Sequence, residues 1–450
     1  MLEDTIAALA TAPGEAALAV IRISGPQAFE VASRVFISNK DARKLPPPRY
    51  LAYGRIVDAD GDTVDTGLLS RFVAPHSYTG EDVVEFSGHG GPLVASLVLE
   101  CILKAGARQA EPGEFTQRAF LLGKMDLTQA EAVMDLIRAR SEQGVKVAQL
   151  QLEGSLGKYL GEVRESLIEV LAHVEAYIDF PDEDISPETG NALLAKLQPI
   201  EETLEGLLAT SERGRFLREG VRTVICGPPN VGKSSLLNYL LGFERAIVSS
   251  TAGTTRDTVE EMISLRGWGL RLVDTAGLRE TNEKVEQEGV RRSVRQLEQA
   301  DLVLEVADAS EPPTCREPLP VTVDPLRHIL ILNKTDLGIH PDWREETAVN
   351  ISCVNQTGLK TLEDEVEKRL QGGSGSNMPL HTAINTRHRN CLQRASEALI
   401  IVRQGLLAGL APELISMDVR TALDAVGEVM GKVDVEDVLD KLFSSFCIGK

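Results

Sequence analysis

Gly227-Pro228-Pro229-Asn230-Val231-Gly232-Lys233-Ser234-Ser235 is a run built for phosphate chemistry. It fits G-x-x-x-x-G-K-[ST], a loop whose two glycines let backbone N–H groups wrap an anion. Lys233 would reach the β- and γ-phosphates, and the Ser234 hydroxyl would hold Mg²⁺. Asp274-Thr275-Ala276-Gly277 follows, with an Asp placed to hold Mg²⁺ through water and a glycine N–H placed to sense the γ-phosphate. Asn333-Lys334-Thr335-Asp336 comes next, then Ser352-Cys353-Val354, which can complete a base pocket. The Asp336 carboxylate can accept from guanine N1–H and the 2-amino group, a donor pair adenine lacks. Two charged hydrogen bonds give a preference of roughly a hundredfold or more. Motifs of this kind in this order predict a segment that binds GTP.

Ser249-Ser250-Thr251-Ala252-Gly253-Thr254-Thr255-Arg256-Asp257 has the composition of a first switch, where a Thr hydroxyl completes the Mg²⁺ shell. The residue after Asp-x-x-Gly is Leu278, which cannot polarise water. A polar group from elsewhere must orient the nucleophile, with Arg279, Glu280, Glu283 and Glu286 as the nearby candidates.

These motifs need elements to hold them. The β-branched run Val221 to Cys226 reads as a strand into the phosphate loop, and Ser235 to Leu241 as the helix leaving it. Leu270 to Val273 and His328 to Leu332 read as strands that deliver the two Asp motifs. In residues 1–118, Ala17 to Ser24, Leu68 to Val73 and Asp82 to Phe86 read as strands. Gln27 to Val35 and Pro92 to Leu103 read as helices, with Pro46-Pro47-Pro48 and Gly88-His89-Gly90-Gly91 as breakers or special loops. Leu156, Leu160, Val163, Leu167, Val170, Leu171, Val174 and Ile178 predict one long amphipathic helix. Leu193, Leu197, Ile200, Leu204 and Leu207 predict another. Gln371 to Asn377 is Gly/Ser-rich and reads as a flexible connection, after which helical periodicity resumes at about 384.

The 450 residues allow about three domains. We expect an α+β domain at 1–118, an all-α domain from 119–216 and 379–450, and an α/β Ras-like P-loop GTPase domain inserted at 217–377. A net charge of −20 argues against a general nucleic-acid binder but leaves room for a local basic groove or a basic partner. The six cysteines form no C-x-x-C pair, which gives no zinc site and suits a reducing cytoplasm. No run of 18 apolar residues and no signal-peptide core occur, so no membrane span is expected.

Along its whole length the chain resembles the MnmE (TrmE) family of tRNA-modification GTPases. The resemblance rests on residues 252–257 and 274–280, on Thr79-Gly80-Glu81-Asp82 and Gly88 to Gly91, on Ile178 to Glu183, and on the terminal Phe446-Cys447-Ile448-Gly449-Lys450. Departures are Ser352-Cys353, where Ser-Ala is usual, and Tyr78, where Phe is usual. The resemblance implies a K⁺-activated GTPase whose G domains pair face to face in a homodimer. Asn230 would be a K⁺ ligand, joined by groups around Ser249, Thr251 and Thr254. Thr255 would bind Mg²⁺, and Glu286 would orient the attacking water. It also implies a folate-binding N-terminal domain that dimerises and holds 5-formyltetrahydrofolate through Arg22, Glu85, Lys124 and Lys450. The implied partners are tRNA and the FAD protein MnmG, which together act at carbon 5 of the wobble uridine. Cys447 would be a nucleophile or an ordering residue there, against the plainer reading of a small buried apolar residue. A ribosome-assembly GTPase would share such a G domain but lack the N-terminal domain and the Cys-Ile-Gly-Lys tail. Two folded flanking domains weigh against a signalling switch.

Overall fold

A computed structural model describes residues 4–40, 45–179, 190–242, 260–273, 294–316, 318–372, 378–432 and 436–450. The chain divides into two compact units, Met1–Met134 with Met430–Lys450, and Asp135–Val429.

The first unit is built on seven strands: β1 (Ile6–Leu9), β2 (Leu18–Ser24), β3 (Phe36–Ser38), β4 (Ala52–Val57), β5 (Thr63–Phe72), β6 (Val83–His89) and β7 (Arg108–Gln109). Their order is β3-β4-β5-β6-β2-β1-β7, antiparallel throughout except for β1 beside β7. Period-two alternation divides the faces. Ile21, Ile23, Leu69, Val84 and Phe86 form a core with Val31 and Ala32 of the helix Ala28–Val35 and with Val98 and Ile102 of the helix Pro92–Lys104. The intervening positions Arg22 and Glu85 stand opposite each other in register on the other face. Gly88 and His89 were expected in a loop. They end β6 instead, because His89 pairs with Leu18 and its N–H donates to Asp65 Oδ2 at 2.9 Å. Gly90 and Gly91 alone make the turn into the helix at Pro92.

The end of the chain belongs to this unit. Phe443, Phe446 and Leu439 pack with Leu127, Ala130 and Met134. Ile448 pairs with Pro112 in an isolated bridge, and the Gly113 N–H donates to Cys447 O at 3.4 Å. Residues 119–134 and 430–450, grouped by periodicity with the helical domain, fall within this compact unit.

In the second unit the helix Ser155–Asp179 buries Leu156, Leu160, Val163, Leu167, Val170, Leu171 and Val174 of the predicted stripe, while Ile178, near its end, is only half-buried. The helix Gly190–Ala209 buries Leu197, Ile200, Leu204 and Leu207. A second sheet comprises β8 (Val221–Cys226), β9 (Glu260–Leu265), β10 (Trp268–Val273), β11 (Leu302–Asp308), β12 (His328–Asn333) and β13 (Val349–Asn350). Its order is β13-β12-β11-β8-β10-β9, parallel except for β9. The fully buried β11 is a near-continuous apolar run, as a parallel strand covered on both faces requires. Chain entry and exit lie close together. Thr210 Oγ1 donates to Thr382 O at 3.2 Å and Arg218 Nη2 to Ile384 O at 2.6 Å. Gln371 and Gly372, expected in the flexible connection, close the helix Leu359–Gly372; 373–377 lie outside the described residues.

Candidate functional sites

The phosphate loop runs from the C-terminal end of β8 to the helix Lys233–Gly242, where strand ends of an open α/β sheet converge on ligands. Two glycines are required by contact as well as by conformation. Gly227 has φ +134°, and a Cβ there would lie 2.1 Å from Val306 O. Gly232 has φ +100°, and a Cβ there would lie 2.1 Å from Asn333 Nδ2. Asn230 is also left-handed, at φ +64°, a region Asn tolerates better than most residues. Lys233 Nζ donates to Gly227 O at 2.8 Å and Pro228 O at 2.6 Å, folding the amine back over its own loop. Ser234 and Ser235 are exposed at the helix start, and Val231 is buried beneath the loop.

Asn333 ties this loop to the base-reading motif. Its Nδ2 donates to Val231 O at 2.9 Å, and its Oδ1 accepts from Cys353 N at 3.2 Å. One buried amide thus spans three motifs that lie far apart in sequence. Lys334, at φ +64°, pairs with the buried Asp308 at 2.6 Å. Burial pushes the Asp308 carboxyl up, but Lys334 and Ser310 outweigh this and hold it below the usual range. The Ser352 hydroxyl donates to Asp336 Oδ1 at 2.5 Å and accepts from Asn355 N at 3.1 Å, fixing the carboxylate at the pocket rim. Burial raises the Cys353 thiol, and burial with Glu305 pushes that of Cys226 up to about 12. Neither sulfur is poised as a thiolate. Asp308 went unmarked in the sequence because an Asp closing an apolar run has no pattern of its own. Ser249, Ser250, Thr251, Ala252, Gly253, Thr254, Thr255, Asp274, Thr275, Ala276, Gly277 and Glu286 lie outside the described residues.

The first unit holds a separate cluster on the open side of its sheet. Arg22 Nε donates to Glu85 Oε1 at 2.8 Å. The guanidinium lies 4.9 Å from the Tyr78 ring and 5.6 Å from that of Phe115. Its Nη1 is buried and has no hydrogen-bond partner among the described residues. Lys450 faces the same pair. Burial, then the Arg22 charge, lower its pKa, while Glu85 pulls the other way. Burial raises the Tyr78 phenol, with its Thr116 hydrogen bond and the Arg22 charge opposing. Cys447 is exposed, so the buried reading of this residue does not hold. Lys124 stands apart. Its Nζ donates to Pro75 O at 2.9 Å, and among the described residues no hydrogen bond or ion pair joins it to Arg22, Glu85 or Lys450.

Comparison with known proteins places a boundary near residue 125. Residues 127–447 match the model of the MnmE helical domain, and residues 5–124 match that of the GTP-binding protein TrmE N-terminus. The chain is 52% identical over 452 residues to the tRNA modification GTPase MnmE of Akkermansia muciniphila, covering 100% of this chain and 99% of that protein. It is 43% identical to the protein of the same name from Aquifex aeolicus and 44% to that from Geobacter sulfurreducens, each covering 100% of both chains.

Proposed function

The chain belongs to the MnmE (TrmE) family, and we propose that it is a GTP hydrolase acting in tRNA modification. The observation that carries the GTPase half is the Asn333 bridge between the phosphate loop and the Asp336 pocket. It supports one ligand with phosphates at one end and a guanine edge at the other. Backbone N–H groups of 230–235 would cradle the phosphates, and Asp336 would accept from the base. Lys233 would leave its loop carbonyls for the phosphates, exchanging neutral acceptors for anionic ones.

Ser234 fits a Mg²⁺ role, since it is an exposed hydroxyl-bearing residue at the helix start beside the loop; Thr255 is the proposed second ligand. A bound Mg²⁺ would neutralise charge on the phosphates. Asn230, exposed in the loop, fits a K⁺ role with Ser249, Thr251 and Thr254, and Glu286 is proposed to orient water.

For the first unit we propose 5-formyltetrahydrofolate as the ligand of Arg22, Glu85 and Lys450. The orphaned Arg22 Nη1 supports the fit, because a ligand oxygen would satisfy it. Glu85 suits a pterin amino edge, and Lys450 suits an oxygen or carboxylate. A bound reduced folate would supply the one-carbon unit. Lys124 would join only after releasing Pro75 O. A homodimer, an MnmG-like FAD partner, action at carbon 5 of the wobble uridine and a cytoplasmic location complete the reading. The proposed division is into domains at 1–118, 119–216 with 379–450, and 217–377, with 119–134 and 430–450 as the part of the helical domain that lies in the first compact unit. Among the described residues no helix is long and apolar enough to cross a membrane.

The test is nucleoside analysis of tRNA from a strain lacking this chain, with and without its return. Loss of wobble-uridine modification, restored by the wild type and not by Lys233→Ala, is expected. An unchanged wobble uridine would end the proposal.

A further inference from the structure

We propose that Tyr78 is a positioning residue that clamps the Arg22 guanidinium. The proposal rests on the reduced-folate reading of this cluster. Three sides of the guanidinium are spoken for. Nε is held by Glu85, and the Tyr78 and Phe115 rings lie at 4.9 and 5.6 Å, within cation–π range. Nη1 is buried and, among the described residues, has no hydrogen-bond partner. An arginine with four rotatable bonds would not keep such a nitrogen buried unless its plane were held from the sides.

The Tyr78 hydroxyl explains how the ring itself is held. It lies 2.8 Å from Oγ1 of the fully buried Thr116. Thr116 and Phe115 are adjacent residues of the helix Glu114–Leu121, so one helix supplies both the second ring and the anchor of the first. Gly113, just before that helix, donates to Cys447 O in the tail that carries Lys450. On its other side the 78–82 loop is tied to β2, where Ser24 Oγ lies 2.7 Å from Thr79 Oγ1. Tyr78 therefore sits between the strand bearing Arg22 and the helix that docks the tail. A Phe would keep the aromatic face and lose the anchor.

The experiment uses the full chain as wild type, Tyr78→Phe and Tyr78→Leu. Calorimetry gives the affinity for 5-formyltetrahydrofolate. NMR of the Arg22 side-chain N–H groups gives guanidinium rotation in the ligand-free protein, and a melting curve reports the fold. Tyr78→Leu should weaken folate binding by about 3- to 30-fold and speed Arg22 rotation. Tyr78→Phe should recover most of the affinity. A lowered melting temperature with affinity and rotation unchanged would leave Tyr78 a packing residue and overturn the proposal. If the wild type binds no folate while rotation still speeds up in Tyr78→Leu, the clamp stands and the folate reading falls.

Discussion

At the scale of single residues, the base pocket makes the sharpest demand. Asp336 is held by Ser352, so Asp336→Asn would meet the guanine donors with a misplaced donor of its own. GTP affinity should fall by at least about 2 kcal/mol, roughly thirtyfold, while xanthosine triphosphate binds better than to the wild type. Unchanged GTP affinity in a titration would remove Asp336 from the pocket. Asn230 needs a paired substitution because its φ of +64° strains most side chains. Asn230→Gly keeps the conformation and Asn230→Ala does not. Both should reduce the advantage of K⁺ over Na⁺ in GTP hydrolysis, and Asn230→Gly should do so with near-normal nucleotide binding. Equal wild-type rates in the two salts would dismiss the K⁺ assignment. Glu286→Ala should bind GTP and hydrolyse it slowly, since water orientation acts on the transition state. Hydrolysis at the wild-type rate would pass the role to Arg279 or Glu283.

Among the elements, two packing relations carry consequences. The terminal segment brings Lys450 within electrostatic reach of Arg22 and Glu85 through the Ile448–Pro112 bridge and the packing of Phe446 with Leu127 and Met134. Deleting Phe446 to Lys450 should leave GTP hydrolysis largely intact, because the phosphate loop and base motif lie in the other unit. It should weaken 5-formyltetrahydrofolate binding, and wild-type affinity in calorimetry would separate the tail from that site. The second relation lies in the connection between β11 and β12. Residues 309–327 include two short 3₁₀ turns, Pro313–Cys315 and Pro325–Arg327. Beneath this connection Glu305 is buried, accepting from Arg316 at 2.5 and 2.7 Å with His328 Nε2 at 2.8 Å. Burial raises the Glu305 carboxyl, but His328 and Arg316 outweigh it, and the pKa falls below its ordinary 4.5. A depressed carboxyl stabilises the fold above its unfolded pKa and loses that contribution as pH falls through the folded value. Glu305→Gln should thus cost about 2 kcal/mol at pH 7. The gap to wild type in urea midpoints should narrow below about pH 4.5, and a gap that widens there would contradict the assignment.

For the whole molecule, a net charge of −20 limits how it can meet tRNA. With acidic residues in such excess over basic ones, the chain alone should bind tRNA no tighter than about 1 μM at physiological salt. Nanomolar anisotropy titrations without any partner would refute this. The chain by itself determined the phosphate loop, the base motif and the long helices. Each is a local pattern whose meaning is complete within a few residues or one helical period. Its terminal tail and N-terminal blocks also carried the family resemblance. Tertiary structure alone decided the rest. It set Lys450 beside Arg22, joined Asn333 to Val231 and Cys353, and paired Lys334 with Asp308. It made Tyr78 a face for Arg22, kept Lys124 on Pro75 O and ran β6 through Gly88 and His89. These are contacts across the chain, and their energy depends on register, burial and partner geometry. No spacing along the sequence encodes those quantities, because they arise only when distant segments share one core or one sheet.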